Sequence, residues 1–94
     1  MLEKDIEKYF MRRVAQMGGR AYKFVSPSNR GVSDRVVCLP DGTTHFIELK
    51  RPGGKLSPLQ RRFAIEMLKL GQSYDCIWSK SEVDAWIEKH TTTK

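Results

Sequence analysis

Residues 34–50 read Asp-Arg-Val-Val-Cys-Leu-Pro-Asp-Gly-Thr-Thr-His-Phe-Ile-Glu-Leu-Lys, two apolar runs joined at Pro40-Asp41-Gly42. The runs 34–39 and 43–50 carry the branched and aromatic side chains that favour strands. Pro40 suits the first position of a type I turn, Asp41 the second, and Gly42 the left-handed residue that closes a three-residue hairpin loop. With that loop Leu39 faces Thr43, and the numbers of residues paired across the hairpin add to 82. Asp34 then stands directly opposite Glu48, their β-carbons ~5 Å apart. A loop one residue shorter would turn Asp34 to the other face. Alternation along the second strand puts Glu48 and Lys50 on one face, and His45 on the opposite one. The turn therefore gathers two carboxylates and an amine on a single patch.

Outward from the hairpin, the chain alternates between helix and strand signals. Leu2, Ile6, Tyr9, Phe10, Val14 and Met17 recur at helical spacing over 2–17, and Gly18-Gly19 ends that helix. Residues 21–25 read as a short strand and 26–31 as a loop. After the basic, glycine-rich loop 51–55, Ser57-Pro58-Leu59-Gln60 opens a second helix with an N-cap, a proline at the first position and a capping-box glutamine. That helix is expected to run to about Leu70 and to bury Leu59, Phe63, Met67 and Leu70. Residues 73–78 form a further strand and 81–89 a last helix. Thr91 to Lys94 form a polar tail expected to fray, and His90 is placed with it. The order is α-β-β-β-α-β-α, an α/β fold with helices on a mixed sheet, residues 1–90 forming one domain.

Composition sets bounds on what such a domain does. Among 94 residues, 39% are apolar and 30% charged, which excludes disorder and fibres. The longest aliphatic run, Val36 to Leu39, is far short of the ~18–20 residues that span a bilayer. No apolar N-terminal stretch with a cleavage site points to export, so a soluble, cytoplasmic protein is expected. Cys38 and Cys76 make no disulfide framework and lack zinc spacing; both are expected as buried, reduced thiols. The excess of 17 Lys and Arg over 11 Asp and Glu permits a polyanionic partner without proving one.

The hairpin patch carries the chemistry. Two close carboxylates repel unless a cation or a shared proton relieves them. Magnesium and similar hard cations favour oxygen ligands and keep several waters, so Asp34, Glu48 and the backbone carbonyl of Leu49 suit one. Lys50 is then placed to orient or deprotonate the attacking water, or to neutralise charge as phosphorus is attacked. These are the parts for hydrolysing a phosphodiester. A bare Glu-x-Lys is more often a solvated ion pair on a strand. The opposed Asp34 and the basic loop after Lys50 argue against that reading here.

Three blocks then become recognisable: Gly31-Val32-Ser33-Asp34-Arg35, Phe46-Ile47-Glu48-Leu49-Lys50 and Gly54-Lys55-Leu56-Ser57-Pro58-Leu59-Gln60. In that order, behind an amphipathic helix, they closely resemble the VRR-NUC family, a branch of the PD-(D/E)xK nuclease superfamily. The resemblance spans about Leu2 to Trp78. It implies a restriction-endonuclease-like fold, dependence on magnesium or manganese, and cleavage of DNA phosphodiester bonds. Carried over, Asp34 and Glu48 would be metal ligands and Lys50 the catalytic lysine. Gln60 matches the family's glutamine and Glu7 the acidic residue of the first helix. Ser33 departs from the proline that many members carry before the aspartate, which changes turn rigidity more than metal chemistry. Small standalone members resemble archaeal Holliday-junction resolvases, are often phage-encoded and are expected to act as homodimers on branched DNA. A chain this short looks like that type and would work in a bacterial host cell.

Outside the patch, simpler readings compete. Glu7 is one more charge on a charged helix unless the resemblance holds, and capping alone would explain Gln60. Lys23, Ser26, Ser28, Asn29, Arg30 and Arg35 flank the approach to Asp34, and Arg51 and Lys55 follow Lys50. As a group they read as a DNA track that grips phosphates without reading sequence. Arg12, Arg13, Arg61 and Arg62 read as solvated helix charges, and Trp78 and Trp86 as core or dimer surface. Two rivals to the nuclease remain: a catalytically idle junction-binding subunit of a larger complex, and a small basic interaction protein. Retention of Asp34, Glu48 and Lys50 together argues against the idle subunit.

Overall fold

The elements, in a computed structural model that describes residues 2–91, are α1 (Glu3–Gln16), β1 (Arg20–Lys23), β2 (Arg35–Cys38), β3 (Thr44–Leu49), α2 (Pro58–Lys69), β4 (Ser73–Ile77) and α3 (Lys80–Thr91). The order is the one the sequence dictates, and the central hairpin closes as its turn residues require. Gly42 takes φ 89° and donates its N–H to Leu39 O at 3.0 Å, while Leu39 N–H donates to Thr43 O at 3.0 Å. Arg35 pairs with Ile47 and Cys38 with Thr44, the predicted register. β1 joins β2 antiparallel, and β4 joins β3 in parallel through the α2 crossover, giving the order β1-β2-β3-β4.

Alternation divides the sheet into two unlike faces. Val37, Ile47, Leu49 and Ile77 face α1 and α3, where Ile6, Phe10 and Val14 meet Val83, Trp86 and Ile87 in a buried core. Phe10 and Trp86 pack edge to face, ring centroids 5.3 Å apart. The other face carries Phe46 and Tyr74, onto which α2 lays Phe63. Among the described residues no helix is long and apolar enough to cross a membrane.

Several expectations need correction. α2 buries only Ala64, with Phe63 and Met67 half-buried, whereas Leu59 and Leu70 are exposed, Leu70 by 62%. The helix rests on β4 and the aromatic cluster, and among the described residues none covers its outer side, where Ile65 and Leu68 also stand in solvent. Leu2 lies exposed ahead of α1, its N–H donated to Asp5 Oδ2 at 3.1 Å. Cys38 is exposed, since α2 does not reach the end of β2; Cys76 is half-buried. α3 continues through Thr91, and His90 packs on Trp86 and His45 with ring centroids 4.2 and 4.6 Å away, so it is no part of a fraying tail. Residues 92–94 of the expected tail lie outside the described residues. Trp86 is core, its indole N–H donated to Asp75 Oδ2 at 3.1 Å.

Candidate active site

The hairpin register delivers Asp34 and Glu48 to the same end of the sheet. β2 has frayed by Asp34, so its carboxylate takes over the ladder: Oδ2 accepts the Leu49 N–H at 2.8 Å, while Asp34 O accepts from Phe24 N–H at 3.0 Å. A strand residue directs its N–H and C=O to the same edge, so the Leu49 carbonyl faces the Asp34 side too. Lys50 is fixed on the opposite edge, its N–H donated to Ile77 O at 2.9 Å.

Glu48 is buried, with 1% of its surface exposed. Its Oε2 accepts from Gln60 Nε2 at 3.1 Å and lies 4.0 Å from Lys50 Nζ. Its Oε1 is buried and, among the described residues, has no hydrogen-bond partner in its ionised form; when protonated, the Glu48 carboxyl bonds to Asp34. Burial first, and then the charge of Asp34, push the Glu48 carboxyl up to about 8 against the pull of Lys50. Lys50, at 4.0 Å, is the cation beside this carboxylate, and it does not offset the burial and the charge of Asp34. Gln60 fills both roles that the sequence left open. Its Oε1 accepts the Ser57 N–H at 2.8 Å in the capping box, while its Nε2 reaches Glu48.

The remaining candidates fall in different places. Glu7 is held by Arg35, whose Nε and Nη2 both lie 2.8 Å from Glu7 Oε2. Arg35 shares the strand face of Val37, away from Asp34, and its Nη1 also donates to Ala21 O at 3.3 Å. Arg35 is thus committed inside the fold and is not a free cation for a phosphate, and Glu7 is its counter-ion. The α1 acid whose charge reaches Glu48 is Glu3, one turn earlier on the same side of the helix. Sequence reasoning missed it because both positions share a helical face. Ser26, Ser28, Asn29 and Arg30 line a cleft of about 500 Å³ against Phe24, Leu59, Arg62 and Phe63. Lys23, Arg51 and Lys55 are exposed. Buried Ser33 donates to Arg35 O at 3.3 Å.

β4 contributes two neighbours of Glu48: Cys76, expected only as a buried thiol, and Tyr74, which the sequence did not single out. Cys76 pairs with Glu48 across the parallel ladder, and burial with the charge of Glu48 pushes its thiol up to about 12. Tyr74 follows on the same face, its hydroxyl buried without a partner among the described residues and its acidity weakened by burial and by Glu48. No tight turn joins β3 to β4, so no loop count fixes that register in advance.

Among the described residues no group of three or more His, Cys, Asp and Glu is arranged to hold a metal ion. The oxygen donors gathered at this end of the sheet are the carboxylates of Asp34 and Glu48 and the Leu49 main-chain carbonyl. Magnesium is bound in just this way, through one or two carboxylates with water completing the shell. The partnerless Glu48 Oε1 and the raised Glu48 carboxyl both fit a cation between the two side chains.

No family model matches the chain. "Putative nuclease p44" of Acyrthosiphon pisum secondary endosymbiont phage 1 is 49% identical over 69 residues, which make up 73% of this chain and 74% of that protein. A solved structure described as "VRR_NUC domain" superposes with a TM-score of 0.84 at 29% identity, covering 92% of this chain and 94% of that one.

Proposed function

The chain belongs to the VRR-NUC family, and we propose that it is a metal-dependent endonuclease that hydrolyses DNA phosphodiester bonds. The observation that carries this reading is the buried, partnerless Oε1 of Glu48 beside Asp34. Asp34, Glu48 and the Leu49 carbonyl would hold a magnesium or manganese ion. Bound there, such an ion neutralises charge at the phosphoryl group and makes water more acidic. The residues themselves divide the remaining work. Gln60 fixes the Glu48 carboxylate by donating to Oε2, leaving Oε1 free. Lys50 Nζ, 4.0 Å from the same oxygen, orients the attacking water and balances charge as its oxygen bonds to phosphorus. The water gives up a proton to solvent as its oxygen bonds to phosphorus, the P–O3′ bond breaks in line, the leaving 3′ oxygen takes a proton from solvent, and the product keeps a 5′-phosphate.

The finer reading is of a homodimer acting on branched DNA such as a Holliday junction, in the cytoplasm of a bacterial host. Two active sites related by a twofold axis suit a symmetric junction. Ile65 and Leu68, exposed one turn apart on the outer side of α2, offer apolar surface for a second copy. Lys23, Ser26, Ser28, Asn29, Arg30, Arg51 and Lys55 are the DNA contacts that surround the centre, without Arg35.

Labelled four-way junction, flap, duplex and single-stranded DNA, each with magnesium, manganese or chelator, test the proposal. Cutting that needs metal and disappears in Asp34→Ala and Lys50→Ala is the expected result. Tight junction binding with no cutting in either metal would instead establish an idle binding subunit.

A further inference from the structure

We propose that the cleft between α1 and α3 is a second phosphate-binding surface, gripping nucleic-acid backbone away from the bond being cut. The inference rests on the nuclease reading above and extends it to residues outside the centre. Tyr9 is the hub. The Arg12 guanidinium and Lys80 Nζ each lie 5.4 Å from the Tyr9 ring centroid, so the two cations are no farther apart than twice that distance. Arg13 is a third cation at 5.8 Å, but it is paired with Asp84, which also accepts the Tyr9 hydroxyl at 2.5 Å. That engagement leaves Asp84 committed, and among the described residues neither Lys8, Arg12 nor Lys80 has an ion-pair partner.

Lys8, Arg12 and Lys80 open with Tyr9 and Asp5 onto a cleft of about 410 Å³. The ring holds the cations by its negative face without cancelling their charge. Unpaired like charges gathered at one ring repel, and anions entering the cleft relieve that repulsion. A nucleic-acid backbone supplies such anions in a row. The position is suited to this role, because Lys80 opens α3 three residues beyond Ile77, the partner of Leu49. The cleft thus flanks the catalytic end of the sheet on the α1/α3 layer, opposite the loop-and-α2 cleft that holds Arg30. A substrate reaching both surfaces wraps that end of the sheet.

The test is a salt titration of DNA binding by full-length protein in an Asp34→Asn background, which blocks cutting. The probe is a fluorescent four-way junction between 50 and 200 mM salt, read by anisotropy. Arg12→Gln with Lys80→Gln removes two phosphate contacts and should reduce the slope of log K against log salt by about 1.8. Over that fourfold rise in salt, the double variant should lose about 12-fold less affinity than its parent. Lys69→Gln with Lys89→Gln, the same charge change at the far ends of α2 and α3, should leave the slope within about 0.5. Both target side chains are exposed, so the fold survives their replacement. An unchanged slope in the Arg12/Lys80 variant, or an equal loss in the Lys69/Lys89 control, overturns this surface. If the wild-type chain still cuts DNA, only the surface falls; if the parent binds no DNA, the nuclease reading falls with it.

Discussion

Glu48→Gln keeps the shape of a buried side chain and removes its charge. In the metal-free chain that charge is a liability: Glu48 is 1% exposed, Oε1 has no partner, and Asp34 adds a second negative charge alongside. Its folded-state carboxyl is raised from 4.5 to about 8, so the folded chain holds the proton more tightly than the unfolded chain does. The stability that this contributes is complete below about pH 4.5 and is lost as pH rises toward 8. The rise from 4.5 to about 8, at about 1.4 kcal/mol per unit, caps the loss at about 5 kcal/mol, and relaxation with water penetration at the charged site brings the wild-type loss to about 2–4 kcal/mol across that window. Glutamine carries no such loss and can still accept from Gln60 Nε2. Without metal at pH 8 the variant should therefore melt roughly 10–20 °C above wild type, while at pH 5 the two should nearly coincide.

Thermal melts by circular dichroism at the two pH values, in chelator and then in magnesium, measure this directly. Magnesium should raise the wild-type midpoint at pH 8 and leave the variant's where it is, because only the carboxylate pair gains a ligand. The variant should also fail to cut DNA. Equal midpoints for the two proteins in chelator at pH 8 would refute the reasoning, since they would mean that Glu48 carries its charge without penalty.

Two further outcomes follow from other parts of the fold. Gly31 has φ 87°, and a Cβ there would stand 2.5 Å from the Leu59 carbonyl carbon; Gly31→Ala should cost about 2–4 kcal/mol in urea unfolding. Gly42→Ala, also at positive φ but facing open space, should cost only about 1–2 kcal/mol. Burial and then His90 lower the His45 imidazole, and burial and then Lys89 lower that of His90. Both are lowered from 6.5, so the unfolded chain protonates first and stability should fall as pH drops below about 6.5. Melts in the Glu48→Gln background expose this trend free of the opposing one, and replacing His90 by Phe should flatten it.

What the sequence disclosed was local chemistry, and what it withheld was long-range docking. Pro40-Asp41-Gly42 determined a loop length, loop length determined parity, and parity placed Asp34 opposite Glu48. Ser57 to Gln60 similarly disclosed the start of α2. The burial of α2 was not legible: Leu59, Phe63, Met67 and Leu70 satisfy helical spacing, yet that spacing cannot say which apolar side meets the sheet when several sides are apolar. Cys76 and Tyr74 were hidden for a different reason, since a parallel crossover through a helix leaves the β3–β4 register open. Glu7 and Glu3 share a helical face, and only the position of Arg35, fixed by the sheet, distinguishes their surroundings. His90 looked like part of a polar tail until α3 carried it back over His45.

The site is assembled from three segments that the fold ties to one another as well as to the core. Asp34 caps the Leu49 N–H where β2 gives out, so the first carboxylate is locked to the strand that carries the second. Gln60 joins that strand to the start of α2 through one amide, accepting from Ser57 and donating to Glu48. Gly31 closes the circuit, because the loop leading to Asp34 lies so close to the Leu59 backbone that no side chain fits between them. Asp34, Glu48 and Gln60 are therefore braced in a ring, and a change at Gly31 should disturb two of them together. Lys50 is braced through its backbone N–H and, at its tip, by a single 4.0 Å ion pair to Glu48, and the glycine-rich loop begins just after it. That asymmetry suits the chemistry: carboxylates that hold a cation gain from rigidity, while an amine that follows charge as it develops needs room to move.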